Sequence, residues 1–419
     1  MQRYDSYKPS GVKWLGEIPS HWESIPLKKC FISSESGLWG DDPKQNDDDV
    51  ICIRVADFDY SKFSIKTDHL TLRSYGNMLS ENKNLTKGDL LLEKSGGGEL
   101  FPVGRVVRFN LDLGKTTCSN FIQKLSPSQK YCSSFLCYLF SSMYTKKVNG
   151  LFYNQTTGIQ NLKIKEYLNQ TVFLPPLDEQ TAIANYLDTA TAKIDAAIAQ
   201  QQKMIDLLNE RKQIIINRAV TRGLNPNARM KDSGVEWIGE VPEHWEVRRL
   251  KYIAKLQSGD TISSDSFTEN GYPVYGGNGF RGFTNRYTND GDYVLIGRQG
   301  ALCGNVNYAH GQFFASEHAV VVYPYNKENF VWLGEVIRTS NLNQYSQSAA
   351  QPGLAVSLIQ NIFYPYPPKE ERDEIALYIN NNIKVIVDGI ENYQQQISLL
   401  QERKQIIINE VVTGKVKVG

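Results

Sequence analysis

Two long stretches of the chain repeat apolar residues at three- and four-residue intervals. The first follows Pro175-Pro176 and contains no glycine or proline before Gly223, and the second follows Pro367-Pro368. The heptad spacing and these limits predict two long helices, each with one narrow apolar seam. The seam consists of Ile194, Ile198, Ile205, Leu208 and Ile215 in the first helix, and of Ile386, Ile390, Tyr393, Ile397, Leu400 and Ile407 in the second.

A narrow seam suits packing against another helix better than packing against a broad core. Two interpretations are open: each helix packs on its own globular domain, or the helices pack on each other, antiparallel, about a pseudo-two-fold axis. The matching seams favour the second, because similar surfaces related by a two-fold axis are complementary. Polar Gln201, Lys212 and Lys404 interrupt the seam and are candidates for fixing its register.

The rest of the chain contains short β-branched and aromatic runs bounded by glycine, asparagine and proline, a pattern typical of short strands and turns. Helical patterns stand near residues 133–144 and 330–340. We therefore expect two compact domains of mixed α/β structure. The strand-like runs include Val50–Val55, Val103–Phe109, Tyr293–Ile296 and Ala319–Tyr323.

The chain is an internal duplication. Ser10–Trp22 (SGVKWLGEIPSHW) and Ser233–Trp245 (SGVEWIGEVPEHW) are identical at nine of thirteen positions, and the sequence ERKQIIIN occurs at both 210–217 and 402–409. The two offsets, 223 and 192, differ by 31, so the divergent middle of the second copy is 31 residues shorter. The predicted fold is mixed α/β (α+β): two globular domains joined by two long antiparallel coiled-coil helices, with a pseudo-two-fold internal repeat. The predicted boundaries are 1–175, 176–224, 225–366 and 367–419.

Composition excludes few functions. The formal net charge is +1, which counts mildly against a free-standing DNA-binding protein unless basic surface is local or a partner supplies it. No apolar run is long enough to span a bilayer, and six scattered cysteines lack zinc-binding spacing. No metal ligands are predicted.

Catalytic motifs fail on inspection. Neither Pro-Pro pair stands in the Asn/Asp-Pro-Pro-Tyr/Phe context of an adenine methyltransferase, and Gly114-Lys115-Thr116 lacks the first glycine of a P-loop, where Phe109 stands. His21 and His244 lie in the repeated element, which favours a structural role. No catalytic residue is predicted.

Basic and amide side chains in the loops of the divergent middle segment of each half are candidate DNA contacts. Arginine and lysine bind phosphates, and arginine, lysine, asparagine and glutamine read base edges. The alternative for each is an ordinary surface loop residue. The candidates are Lys94, Arg105, Arg108 and Lys115 in the first half, and Arg281, Arg286, Arg298 and Gln299 in the second.

Four kinds of element, in order along the whole chain, resemble the specificity subunits of Type I restriction–modification systems. They are the Trp-x-Gly-x-x-Pro-x-His-Trp repeats, the Pro-Pro-x-x-Glu-Gln element at 175–180, the Glu-Arg-Lys-Gln-Ile-Ile helix ends, and the segments at 297–306 and 351–354. The chain departs from the pattern at Arg372, which stands at the position equivalent to Gln180. The first half also lacks a clear Gly-Arg-x-Gly loop and has Lys-Ser-Gly-Gly-Gly at 94–98 instead.

The resemblance implies a non-catalytic, cytoplasmic bacterial or archaeal subunit. It would read a bipartite site in double-stranded DNA through two target recognition domains. Its helices would bind two methylation subunits, which carry S-adenosylmethionine, and restriction subunits, which use ATP and Mg²⁺, would join them. The chain itself would hold no cofactor and would not enter a membrane.

A helix from about Asp178 to Arg222 would be about 65 Å long, close to two turns of B-DNA. This length suits a spacer between two half-sites separated by unread base pairs. The divergent middles predict that the half-sites differ. Two alternatives remain at this stage: a stand-alone DNA-modifying enzyme, and a coiled-coil adaptor that binds no DNA.

Overall fold

The computed structural model describes residues 2–156, 158–300, 302–326, 329–346 and 353–418. They form two compact units. The first comprises Met1–Gln200 and Gln396–Gly419, and the second comprises Gln201–Gln395. The division falls within both long helices, so each helix contributes one end to each unit. The boundaries drawn on the sequence stay a prediction.

The first half of the chain contains a series of short strands followed by the first long helix. The strands are β1 (Tyr7–Pro9), β2 (Glu17–Pro19), β3 (Glu23–Pro26), β4 (Phe31–Ser36), β5 (Asp49–Ile53), β6 (Phe58–Asp59), β7 (Ser64–Ile65), β8 (Thr71–Ser74), β9 (Leu90–Glu93), β10 (Ser95–Gly96), β11 (Val106–Arg108), β12 (Thr116–Cys118) and β13 (Ile122–Pro127). They are followed by α1 (Ser133–Thr145), β14 (Tyr153–Thr156), β15 (Ile159–Leu162), α2 (Ile164–Tyr167), β16 (Thr171–Leu174) and α3 (Leu177–Arg222).

The second half repeats this order with shorter connections. Its strands are β17 (Met230–Asp232), β18 (Glu240–Pro242), β19 (Glu246–Arg249), β20 (Ala254–Ser258), β21 (Tyr272–Gly276), β22 (Gly279–Thr284), β23 (Asn289–Asp290), β24 (Tyr293–Gly297), β25 (Val306–Ala309), β26 (Gln312–Ala315) and β27 (Ala319–Pro324). They are followed by α4 (Phe330–Thr339), α5 (Val356–Ile359), β28 (Phe363–Tyr366) and α6 (Lys369–Val412).

The two units share one sheet topology. An antiparallel four-stranded sheet has the order β4-β13-β9-β11 in the first unit and β20-β27-β24-β25 in the second. Beside it lies a mixed sheet, β8-β5-β12 or β22-β21-β26-β23, in which β5 with β12 and β21 with β26 are parallel. The predicted fold class, a mixed α/β repeat with two long helices, is confirmed.

Each unit has a core in which one end of each long helix takes part. In the first unit, Ile183 and Leu187 of α3 and Ile408 of α6 are buried together with Trp22 and Phe135. The second unit buries the other helix ends in the same way around a second set of aromatic residues: Ile216, Val220, Ile375, Ile379, Trp245 and Trp332. Early residues of one helix therefore meet late residues of the other within each unit, which is the antiparallel arrangement that the seam predicted.

The seam residues are buried or half-buried along both helices. Ile205 and Ile386 are the most enclosed of them, at 5% and 7% exposure. Near the carboxyl ends, Ile216 and Ile408 are buried more fully than the predicted Ile215 and Ile407. There the helices stop facing only each other and join a globular core, so a broader face of each helix is covered.

Candidate functional site

The repeated tryptophan element binds the first turn of a long helix in each unit. In the first unit, Trp22 Nε1 donates to Glu179 Oε1 at 3.0 Å, and His21 Nε2 lies 2.7 Å from Glu179 Oε2. In the second, Glu371 holds the same relation to Trp245 (2.9 Å) and His244 (2.6 Å). Both histidines are about half exposed. Their shared role in the two units is the hydrogen bond to this carboxylate.

The substitution of glutamine by arginine in the second helix keeps one contact. Gln180 Nε2 donates to the carbonyl oxygen of Pro175, and Arg372 Nη1 donates to that of Pro367, both at 2.9 Å. Both side chains therefore fasten the start of the helix to the proline that precedes it.

Each unit has a cleft where the two sheets meet. The first has a volume of about 490 Å³ and the second about 520 Å³. Exposed aromatic or apolar side chains line both clefts, among them Trp39 and Phe121 in the first and Phe280 and Leu302 in the second. Polar groups line them too: Arg54, Glu93, Ser95 and Asn120 in the first, and Asn278, Arg281, Gln299 and His318 in the second.

Strand registers show that the clefts are equivalent. Ile122 lies opposite Glu93 in the first unit, and Ala319 lies opposite Gly297 in the second. The residue after each of these strand ends, Lys94 or Arg298, donates its backbone N–H across the sheet. The acceptor is the carbonyl of Phe121 at 2.9 Å for Lys94 and that of His318 at 2.8 Å for Arg298.

This register answers a question that the sequence left open. The Lys94-Ser95-Gly96 segment occupies, in the first unit, the position of Arg298-Gln299-Gly300 in the second. The first half therefore has a counterpart of the Gly-Arg-x-Gly loop, with Glu93 and Lys94 in place of its glycine and arginine. His318 and Phe121 are therefore counterparts.

A serine holds the cation at each of these positions. Lys94 Nζ donates to Ser36 Oγ at 2.5 Å, and Arg298 Nη1 donates to Ser258 Oγ at 3.3 Å. The two serines are themselves equivalent, since Ser36 lies opposite Gln123 in β13 and Ser258 opposite Val320 in β27. All four side chains are half-buried.

A glycine follows each of these serines for a steric reason. A Cβ at Gly37 would overlap the carbonyl oxygens of Cys118 and Ser119, and one at Gly259 would overlap those of Ala315 and Ser316. The Ser-Gly pair at the end of β4 and of β20 is thus a part of the repeat that the sequence comparison missed. In the sequence, this part of the repeat is marked only by the dipeptide Ser-Gly, because the segments around it have diverged.

The floors of the two clefts differ chemically. In the first, the buried Glu93 carboxylate accepts from Arg105 at 2.8 and 3.2 Å and from Tyr60 Oη at 3.3 Å. Burial raises the pKa of Glu93, against the opposing effect of Arg105. The guanidinium of Arg105 also lies 3.8 Å from the centre of the Tyr60 ring.

Glycine stands in place of this glutamate in the second cleft. The counterpart of Glu93 is Gly297, where a Cβ would overlap the carbonyl oxygen of Gly277. The second cleft therefore cannot take a glutamate at this position unless its backbone shifts. At the surface of the second cleft, the exposed Asn305 Nδ2 donates to Oδ1 of the lining residue Asn278 at 2.9 Å.

The structure brings some of the candidate DNA contacts together and separates others. Arg281 and Gln299 line the second cleft with Arg298 beside them, and Lys94 stands beside the first. Arg105 is engaged by Glu93 beneath the first cleft. The remaining candidates lie outside the two cleft linings: Arg108 at the end of β11, exposed Lys115 in the turn before β12, and Arg286, 5.1 Å from the Phe314 ring.

Part of one family-like segment lies outside the described residues. Gln351 and Pro352 belong to this part, whereas Gly353 pairs with Gln299 as an isolated bridge at the second cleft. Within the described ranges, no cluster of three or more His, Cys, Asp or Glu side chains could hold a metal ion. No helix in those ranges is both long and apolar enough to cross a membrane.

Comparison with known proteins gives one family. Residues 50–205 and 242–409 match the Type I restriction modification DNA specificity domain. The chain is 42% identical over 138 residues to the Type I restriction enzyme EcoprrI specificity subunit of Escherichia coli, covering 32% of this chain and 34% of that protein. It is 27% identical to the MjaVIII specificity subunit of Methanocaldococcus jannaschii, covering 78% and 79%.

Solved structures share the fold over nearly the whole chain. A chain from a type I R-M system aligns with a TM-score of 0.70 at 16% identity, covering 95% of this chain and 99% of its own. The HsdS subunit from Thermoanaerobacter tengcongensis aligns with a TM-score of 0.51 at 16% identity, covering 97% and 100%. At these identities the likeness concerns the fold alone.

Proposed function

The chain belongs to the Type I restriction modification DNA specificity domain family, and we propose that its two clefts read the two parts of a split target in double-stranded DNA. The observation that carries the proposal is the pair of equivalent clefts, each flanked by a cation and lined by exposed aromatic, amide or charged groups. These are the groups that bind phosphates and base edges.

The target is asymmetric. The clefts differ: a buried Glu93–Arg105 pair lies at the first, whereas Gly297 stands in place of Glu93 at the second, which is lined by amide and imidazole side chains. Side chains that present different donors and acceptors select different bases. Two unlike half-sites, and hence a non-palindromic sequence, follow from this difference.

The chain also serves as a scaffold for two methylation subunits. Each unit exposes two apolar residues seven positions apart on a long helix. They are Leu399 and Ile406 on α6 in the first unit, and Leu207 and Ile214 on α3 in the second. These pairs are counterparts at the offset of 192, and each suits packing against a helix of another protein.

Chemistry then resides on the partners. S-adenosylmethionine belongs to the methylation subunits, and ATP and Mg²⁺ belong to restriction subunits that join the same core. A partner that supplies basic surface also accounts for the net charge of only +1.

Co-expression with a Type I methylation subunit from the same genome tests the proposal. Mapping of DNA methylation by single-molecule sequencing should reveal a new split, asymmetric adenine-methylation motif that disappears when this chain is omitted. A soluble complex with an active methylation subunit but no new motif would contradict it. Binding of S-adenosylmethionine by the isolated chain would instead favour a stand-alone modifying enzyme.

A further inference from the structure

We propose that the two serine–cation pairs, Ser36–Lys94 and Ser258–Arg298, grip the DNA backbone in the same way in both halves, whereas base selection falls to neighbouring cleft residues that differ between the halves. This inference rests on the proposed function, because it divides the roles within the same clefts. It makes Lys94 and Arg298 sequence-independent contacts and makes the two serines positioning residues.

The duplication has kept three residues at each cleft. The cation, its serine and the glycine after the serine occupy equivalent backbone positions in both units. The residues around them have diverged in charge and shape. A contact maintained over two clefts of different chemistry suits the component that is the same in every DNA sequence, which is the phosphate backbone.

The cation is a lysine in the first unit and an arginine in the second. Both neutralise a phosphate, but only arginine presents a planar fork of donors, so the two are not interchangeable at a site of bidentate base recognition. Lys94 and Arg298 hold the same place in the two units. The property they share is a positive charge.

The geometry leaves both cations able to bind a phosphate. Each serine hydroxyl accepts only one hydrogen bond from its cation, so the other N–H donors of Lys94 and Arg298 can reach a phosphate. Partial burial lowers the pKa of Lys94, and the nearby Lys83, which donates to the Ser36 carbonyl oxygen at 2.7 Å, adds to the effect. An anion placed there would relieve both costs.

Base reading then falls to the divergent neighbours. Gln299 and His318 line the second cleft where Ser95 and Phe121 line the first. An amide and an imidazole offer directional donors and acceptors to base edges. The hydroxyl and phenyl ring at the equivalent places present a different pattern.

The test uses the complex of this chain with its methylation subunit and the duplex target defined by the methylation map. Equilibrium binding is measured over a series of salt concentrations, on the target and on duplexes altered at single base pairs of each half-site. The variants are Arg298→Ala, Arg298→Lys, Ser258→Ala and Gln299→Ala. Lys255→Ala is the control, because this exposed lysine lies on the same strand as Ser258 and faces the other side of the sheet.

Arg298→Ala should weaken binding to every duplex by the same factor, about tenfold, and lower the slope of log K against log salt by about one. Arg298→Lys should keep most of the affinity and the slope. Gln299→Ala should leave the slope unchanged and reduce discrimination at one base pair of one half-site. The control should change neither quantity.

The serine is tested by a double-mutant cycle. Ser258→Ala should weaken binding several-fold in the native background and have little further effect in the Arg298→Ala background, since its role acts through the arginine. Loss of discrimination at one base pair in Arg298→Ala, or failure of Arg298→Lys to substitute, would overturn the inference. If the unaltered complex does not distinguish its target from other duplexes, the proposed function itself fails.

Discussion

A single carboxylate at the start of each long helix joins it to the repeated tryptophan element. Glu371 accepts from Trp245 and His244 at once, and its negative charge strengthens both hydrogen bonds, which the neutral amide of a glutamine would not do. Glu371→Gln should therefore lower the free energy of unfolding of the second unit by about 1 kcal/mol more than Glu370→Gln. Chemical denaturation followed by tryptophan fluorescence measures both.

Glu370 is the matched control for this change. It is exposed in the same first turn, so Glu370→Gln removes the same charge from the positive end of the helix dipole without breaking the hydrogen bonds. Equal losses in the two variants would show that only the dipole is involved. The sequence supplied Trp245 and His244 through their repetition, but it gave no signal that Glu371 is their partner, because that pairing joins residues 126 positions apart.

The parts of the fold that depend on repeated residues could be predicted from the sequence. The side-chain contacts at the two clefts could be predicted less well. The heptad spacing predicted the seam residues, and the duplication revealed the two tryptophan elements. Ser36 and Ser258 were not predicted, because their role depends on sheet register, which places them beside Lys94 and Arg298 from a distant strand. Arg105 looked like a free loop cation and is instead held by a buried glutamate.

Within the long helices, two lysines with the same local sequence have different surroundings. Lys404 is buried and donates to Asp195 at 2.6 and 2.7 Å and to the Ser61 carbonyl oxygen at 2.6 Å. Lys212, its counterpart, has no hydrogen-bond or ion-pair partner among the described residues. Val387 stands at the position equivalent to Asp195, so the acceptor is missing there.

The same substitution at these two positions should have opposite consequences. Lys404→Met leaves Asp195 without its ion pair in a mostly buried site, and should cost about 2 kcal/mol of stability. Lys212→Met removes a half-buried charge that has no partner among the residues the structure describes, and should change stability by no more than about 0.5 kcal/mol or increase it. Denaturant midpoints of the two variants, measured side by side, decide the matter.

Similar losses at both positions would contradict the structural difference between the units. The sequence predicted that both lysines interrupt the seam, but it could not show that only one is satisfied. Ser61 belongs to the hairpin of β6 and β7. The described part of the second unit has no counterpart of that hairpin, and its strands β21 and β22 are joined by a two-residue turn, Gly277-Asn278. The shorter middle of the second copy therefore alters the setting of a helix residue that the duplication left unchanged.

At the scale of the whole molecule, the proposed function assigns one methylation subunit to each of the two equivalent exposed apolar pairs. Each unit has one of these two equivalent pairs, and polar substitution of one pair should remove one methylation subunit and leave the other. Leu207→Asp with Ile214→Asp should reduce the co-purified complex from two methylation subunits to one, and adding Leu399→Asp with Ile406→Asp should leave none. Native mass spectrometry counts the subunits directly.

The control keeps the spacing and the added charge but moves them to another face of the helix. Gln202→Asp with Asn209→Asp changes two exposed residues that are also seven positions apart on α3, and should retain both partners. Retention of two subunits by the Leu207 and Ile214 variant would place the contact elsewhere. Loss of both subunits from that variant alone would show that the partners bind cooperatively, because one altered surface would then govern two sites.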